Sequence, residues 1–296
     1  MTKLILHSAN MDHNLPSGSL IALEESLKAK VSRIEVDVIP LKDGDFALLH
    51  DPKLEHICNA TGDVPDFSSE EIQSFTYKDS VHRLGTLRQA VELIQRYPLE
   101  DFFQLDLKPY APLTPTSMSD LVNLIQPIQE MVMVSSVADW AIRLLKRLLP
   151  SLKLGFDPLL YLDLVEDEPR EEGVPPFRVG AYGYLDEHPL AAQRWGTLKD
   201  YFEARAEALI QQVPSGITWF INAQLLEEAS IAGFNWVHFL QNNDNTVNAW
   251  TLDLDRVQLT TKMVGLGVDY ITTNQLYEME KELGLYQTKS FHQGYK

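Results

Sequence analysis

The stretch "IEVDVIPLKDGDFALLHDPKL" occupies residues 34–54. Within it Ile34, Val36 and Val38 alternate with Glu35 and Asp37. Successive strand side chains point to opposite faces, so the pattern predicts a strand with one apolar face and one face carrying two carboxylates. A tight turn at Lys42-Asp43-Gly44 follows, then a short apolar run that ends on His50 and Asp51. Two acids on one face of a mostly apolar strand call for a physical reason. A buried carboxylate is costly unless it is paired or held on a metal.

Outward from this stretch, strand-like and helix-like segments alternate. Strands are predicted at 3–8, 33–39, 101–108, 131–136, 152–157, 216–223, 246–253 and 269–273. The run at 45–51 is set aside as a hairpin arm. Helices are predicted at 18–30, with Ser19 as a cap, and at 86–97, 117–131, 137–150, 195–213, 225–233 and 256–267. Pro127 should bend or end the third of these. Eight strand-then-helix units in 296 residues argue for a parallel sheet and fit an α/β protein of the (β/α)8 TIM barrel class, read as a single domain over 1–296. A doubly wound open sheet is the runner-up. No G-x-G-x-x-G follows the first strand and there is no P-loop. An acid- and proline-rich insert at about 157–189 breaks the rhythm after the fifth strand. It carries Tyr161, Phe177, Tyr182 and Tyr184 among many acids, and is expected to cap the site or to form a subunit contact.

The net charge is −17, from 42 acidic against 25 basic residues. Such a surface repels nucleic-acid phosphates and anionic lipid, so no nucleic-acid partner is expected. No stretch is long and apolar enough for stable membrane insertion, and the start of the chain lacks the apolar core of a signal peptide. A cytoplasmic location is expected. The single cysteine, Cys58, excludes an intrachain disulfide and reads as a small buried apolar side chain.

Three strands deliver ionisable groups near their C-terminal ends, which converge at the top of a barrel. Glu35 and Asp37 share a face of the second strand. Gln104, Asp106 and Lys108 share a face of the third, and His7 closes the first. Glu35, Asp37 and Asp106 form an all-oxygen set suited to Mg²⁺ or Ca²⁺ rather than zinc. The plainer reading is that each acid caps a helix or pairs with Lys108 or Arg33.

At this point the motifs resemble the glycerophosphodiester phosphodiesterases, metal-dependent (β/α)8 enzymes to which the spider-venom phospholipase D toxins are distantly related. The family's "HRG" and "PENT-L-x-A-F" correspond to "HSA" at 7–9 and "PSGSLIAL" at 16–23. Its "I-E-x-D-V", "T-K-D-G" and "H-D-x-x-L" correspond to "IEVDV" at 34–38, "LKDG" at 41–44 and "HDPKL" at 50–54. Its third-strand "E-x-K" appears within "LDLK" at 105–108. Near the end, "AWTLD" (249–253) and "GVDYITTNQ" (267–275) resemble "V-W-T-V-N" and "G-V-D-G-I-I-T-D-x-P". The resemblance implies a hydrolase that releases an alcohol from a small-molecule glycerophosphodiester or a related phospholipid headgroup diester. It implies Glu35, Asp37 and Asp106 as ligands of a divalent cation, His7 as base and His50 as acid, while Asp51 would either orient His50 or cap the next turn. Lys108 and Trp250 would meet the substrate. Histidine suits both proton-transfer roles because its unperturbed pKa is about 6.5.

Several positions depart from that pattern. Ser8 replaces the arginine of "HRG", Ser17 and Gly18 replace the glutamate and asparagine of "PEN", and Asn274 replaces the aspartate of "T-D-x-P". Asp106 stands where the family's glutamate usually does, as in the toxins. Asn10 and His13 lie in the altered loop. A shifted substrate or a catalytically weak or inactive, ligand- or partner-binding member is the alternative. The sequence leaves the headgroup, the choice of cation and the oligomeric state open.

Overall fold

The computed structural model describes residues 2–11, 13–162 and 197–285. Nine strands run along them: β1 (Lys3–Leu6), β2 (Arg33–Pro40), β3 (Phe46–Ala47), β4 (Phe102–Leu107), β5 (Val132–Ser136), β6 (Lys153–Phe156), β7 (Thr218–Asn222), β8 (Thr246–Trp250) and β9 (Tyr270–Thr273). Eight are parallel, and β1 pairs with both β9 and β2, so the sheet closes into a (β/α)8 barrel. β3 lies antiparallel on β2, as the hairpin arm read from the Gly44 turn requires. Gly44 sits at φ 86°, a left-handed conformation that glycine adopts without strain.

The two faces of the strands bury different things. Ile34, Val36 and Val38 join the main core beneath the outer helices, with Leu23, Leu27, Leu87 and Ile94. Burying each such side chain contributes about 1.5–3 kcal/mol. The barrel interior is filled by a smaller cluster of Ile5, Phe102, Met133 and Phe220. Residues 39–84 contribute a separate apolar cluster in which Cys58 is buried, as read.

The helices begin where side chains can satisfy their free amides. Ser19 accepts from Ala22 N at the start of Leu20–Lys28, and Gln89 Oε1 accepts from Thr86 N at the start of Leu87–Arg96. Pro127 ends the α-helix Pro115–Ile125, and the chain continues as the 3-10 turn Gln126–Met131. The short helices Leu54–Ile57, Ser69–Ser74, Trp236–Gln241 and Leu276–Glu282 were not legible in the periodicity. They span too few turns to display a repeating apolar stripe. Among the described residues no helix is long and apolar enough to cross a membrane.

Two expectations change. The first strand stops at Leu6, and His7–Ala9 forms a tight turn with Ser8 at φ 51° and Ala9 at φ 50°. Most of the 157–189 insert, including Phe177, Tyr182 and Tyr184, lies outside the described residues. Tyr161 does not serve as a cap, because it belongs to the core. It is 9% exposed, its hydroxyl donates to Asp139 Oδ1 at 2.8 Å, and its ring packs on Phe156.

Gly155 is required by a close approach inside the barrel. A Cβ there would overlap the Phe220 ring and lie 2.9 Å from Ser135 Cβ. Gly155→Ala is expected to cost about 1–3 kcal/mol through overpacking. Urea denaturation measures this, and a change below about 0.5 kcal/mol, the size usual at surface positions, would contradict the packing.

Candidate active site

Parallel register sets the site. Asp37 on β2 pairs directly with Asp106 on β4, and Asp106 pairs with Ser135 on β5. Glu35, one inward position below Asp37, completes the set. One carboxylate oxygen from each of Glu35, Asp37 and Asp106 lies within 4.8 Å of the others. Glu35 and Asp37 are buried, at 4% and 7% exposure. Among the described residues this is the one group of three or more acids, histidines or cysteines with metal-ligand spacing.

The plainer reading is correct for Lys108 and wrong for Arg33. Lys108 Nζ lies 2.9 Å from Asp37 Oδ1 and 2.7 Å from Asp106 Oδ2. Arg33 turns away to Asp101, at 2.8 Å, and to the carbonyl of Leu4. Three carboxylates against one ammonium leave a net charge of −2 when all are ionised, which is the complement of a divalent cation. The electrostatics show the same deficit of positive charge. Burial, with added repulsion from Asp37 and Asp106, pushes the Glu35 carboxyl up to about 8. Asp37 is held below its ordinary value; burial opposes this and is outweighed by Lys108, His50 and His7. Lys108 is held well above its ordinary value by Asp106 and Asp37, although burial works against it. An all-oxygen, under-neutralised set of this kind could hold a divalent cation.

His7 sits at the mouth of this cluster, its Nε2 3.8 Å from Glu35 Oε2. Its Nδ1 lies 2.8 Å from Asn274 Oδ1. An amide oxygen only accepts, so Nδ1 carries the proton. Asn274 Nδ2 donates in turn to Asp253 Oδ2 at 2.8 Å, and Asp253 Oδ1 accepts from Asn274 N and Thr273 Oγ1. That chain fixes the amide orientation and hence the histidine tautomer, which leaves the Nε2 lone pair facing the acids. Burial opposes protonation of His7 but is outweighed by Glu35, Asn274 and Asp37, so its pKa is raised.

The altered turn after His7 has its own work. Ser8 N donates to Glu35 Oε2 at 2.8 Å, and Ser8 O accepts from Gly18 N at 2.7 Å. Left-handed conformations at two residues with a Cβ cost energy, and such strain gathers at functional sites. Asn10 Nδ2 donates to Ser17 Oγ at 2.9 Å. His13 is exposed.

His50 is exposed at the rim, close enough to Asp37 to favour its ionised form. Asp51 does not orient it. Asp51 Oδ1 accepts from Lys53 N at 2.8 Å, and Oδ2 meets His56 Nδ1 at 2.7 Å, so Asp51 shapes the next turn. The sequence reading also missed Asp157, just past β6, where the barrel-top rule would have pointed. Burial and Asp106 push its carboxyl well above the ordinary range. Trp250 is partly exposed and adds a weaker favourable interaction with Asp157, but its indole N–H makes no hydrogen bond of ordinary geometry.

The closed parallel barrel thus carries an acid–lysine–histidine cluster at the C-terminal ends of its strands, and its three acids could hold a divalent cation. The sequence model of the glycerophosphoryl diester phosphodiesterase family matches residues 11–277, and the chain belongs to that family, whose members are phosphoric diester hydrolases. A glycerophosphodiester phosphodiesterase of Caldanaerobacter subterraneus subsp. tengcongensis is 29% identical over 170 residues, covering 54% of this chain and 68% of the relative. One from Bacillus altitudinis is 29% identical over 173 residues, covering 56% and 69%. Two solved structures share the fold. An Oleispira antarctica phosphodiesterase, in complex with the product sn-glycerol-3-phosphate, aligns with a TM-score of 0.64 at 16% identity over 96% of this chain and 97% of that one. A Parabacteroides distasonis glycerophosphodiester phosphodiesterase gives 0.66 at 16% identity over 96% and 97%.

The raised Glu35 pKa has a measurable consequence. A carboxyl whose folded pKa lies above its unfolded value stabilises the fold below the unfolded pKa and loses that contribution as pH rises. The metal-free protein is therefore expected to lose stability as pH rises from 4.5 to about 8. The raised pKa values of His7 and Asp157 act in the same direction, so Glu35 supplies part of the slope, while Asp37 and Lys108 change outside this window. Denaturation with chelator present tests this. Glu35→Gln should flatten the slope and raise metal-free stability at pH 8 by about 1–3 kcal/mol, the usual penalty of an uncompensated buried polar group. A slope unchanged by the substitution would refute the assignment.

Proposed function

We propose that this chain hydrolyses glycerophosphodiesters to an alcohol and glycerol phosphate, using a divalent cation held by Glu35, Asp37 and Asp106. The observation that carries the reading is the convergence of three carboxylates around Lys108, with the Nε2 lone pair of His7 facing them. Family membership sets the reaction class. When bound, the cation would act as a Lewis acid on the phosphoryl oxygens.

The chain's own groups do the rest. Lys108 spends two of its three N–H donors on Asp37 and Asp106, and the third is available to a phosphoryl oxygen. His7 Nε2 accepts the proton of the attacking hydroxyl, either the substrate's neighbouring hydroxyl or water. Its Nδ1–H stays with Asn274, and Asp253 behind Asn274 steadies the imidazolium that forms. His50 donates a proton to the departing alcohol, so one proton is taken and one is returned as the new P–O bond replaces the old one. If the neighbouring hydroxyl attacks, the cyclic phosphate that results is opened by water with the two histidines exchanging roles. Trp250, at the end of β8, offers an apolar wall to the substrate.

The contacts that Ser8 and Asn274 make support turnover over a purely binding role. Ser8 supplies its backbone N–H to Glu35, and Asn274 fixes the His7 tautomer, so each contributes to the reactive arrangement. The reading is tested by incubating the protein with glycerophosphocholine or glycerophosphoethanolamine and Mg²⁺ or Ca²⁺, and following release of the alcohol. Release that requires the cation is expected; none with either cation would reject the reading. His7→Ala and His50→Ala should each lower kcat by about 10²–10⁴-fold with an unchanged circular dichroism spectrum. Parental rates in both would dismiss the histidine roles.

A further inference from the structure

Asp106 is held on both sides. Its Oδ2 faces Lys108 and its Oδ1 accepts from Ser135 Oγ at 2.8 Å. Ser135 is 1% exposed and itself accepts from Gln104 Nε2 at 3.0 Å. A hydroxyl has a single proton. Because the ionised Asp106 can only accept, that proton goes to Asp106, and Gln104 must present its NH₂ to Ser135. The amide cannot flip without breaking the chain. Its Oε1 is then left buried with no hydrogen-bond partner.

An orphaned buried acceptor is rare in native proteins and unfavourable. A methionine at position 104 would fill similar space with no orphan. Gln104 therefore weakens the fold locally, and what it provides in exchange is the orientation of Ser135. The close approach at Gly155, opposite Ser135 in register, holds the serine backbone beside β6.

We propose that Gln104 and Ser135 form a positioning relay that fixes the Asp106 carboxylate for a divalent cation. This rests on the cation-binding reading above. Partners behind metal ligands typically change affinity by about 10–100-fold when removed.

The test uses Mg²⁺ and Ca²⁺ alone, titrated by calorimetry into the whole protein, with melting temperatures measured in chelator. Ser135→Ala removes one oxygen and should weaken cation binding about 10–100-fold. Gln104→Met should weaken it in the same direction while leaving the metal-free melting temperature equal to or above the parent's. The double variant should bind as Ser135→Ala does, because Gln104 acts only through Ser135. Parental affinity in either single variant, additive losses in the double, or a lower metal-free melting temperature for Gln104→Met would each overturn the relay. Binding by the parent that is lost in Glu35→Gln shows the cation site independently of the relay. No binding by the parent would remove that site and the relay with it.

Discussion

Mutual repulsion among three carboxylates is the constraint around which the top of this barrel is organised. With oxygens no more than 4.8 Å apart, each ionised pair repels by about 3.5 kcal/mol or more at an effective dielectric of about 20. The chain meets this with donors aimed at the acids. Lys108 lies between Asp37 and Asp106, the Ser8 amide faces Glu35, and the Ser135 hydroxyl faces Asp106. Burial, with the remaining repulsion from Asp37 and Asp106, raises the Glu35 pKa. A divalent cation would bring charge that complements this field, so an arrangement unfavourable for folding alone would become favourable for binding.

Closure of the sheet makes the arrangement possible. In-register pairing of β2 with β4 sets Asp37 against Asp106, and pairing of β1 with β2 brings His7 to Glu35. Since β1 also pairs with β9, the same closure delivers Asn274 and its partner Asp253 to the far side of the His7 ring. Residues separated by some 267 positions meet in one hydrogen bond. The apolar cluster beneath them, Ile5, Phe102, Met133 and Phe220, closes the barrel from below. It leaves the ionisable groups only the upper end as an exit to solvent.

Two of the positions that look like losses against the family pattern, Asn274 and Ser8, are used differently here. Asn274 cannot carry the charge of an aspartate, yet its amide accepts from His7 and donates to Asp253, so a carboxylate still acts one residue further away. Ser8 cannot reach a phosphate as an arginine would, but its backbone binds Glu35 from a strained left-handed turn. The chemistry of the site is thus distributed over backbone groups and a second layer of side chains.

Period-two alternation in 34–38 and 102–107 determined which side chains faced inward, because strand geometry has only two faces. Repetition of strand and helix, with Ser19 as a cap and Pro127 as a stop, set the barrel class, since local capping and ring closure are written in neighbouring residues. Six ionisable groups at strand ends were named from the sequence and its resemblance alone. Tertiary structure decided what touches what. It turned Asp51 away from His50 towards Lys53 and His56, drew Tyr161 into the core against Asp139, joined Asn274 to His7, and placed Ser135 and Gln104 behind Asp106. These are contacts between residues that share no local pattern. A hydrogen bond is set by a few tenths of an ångström in three dimensions, and periodicity along the chain carries no such information.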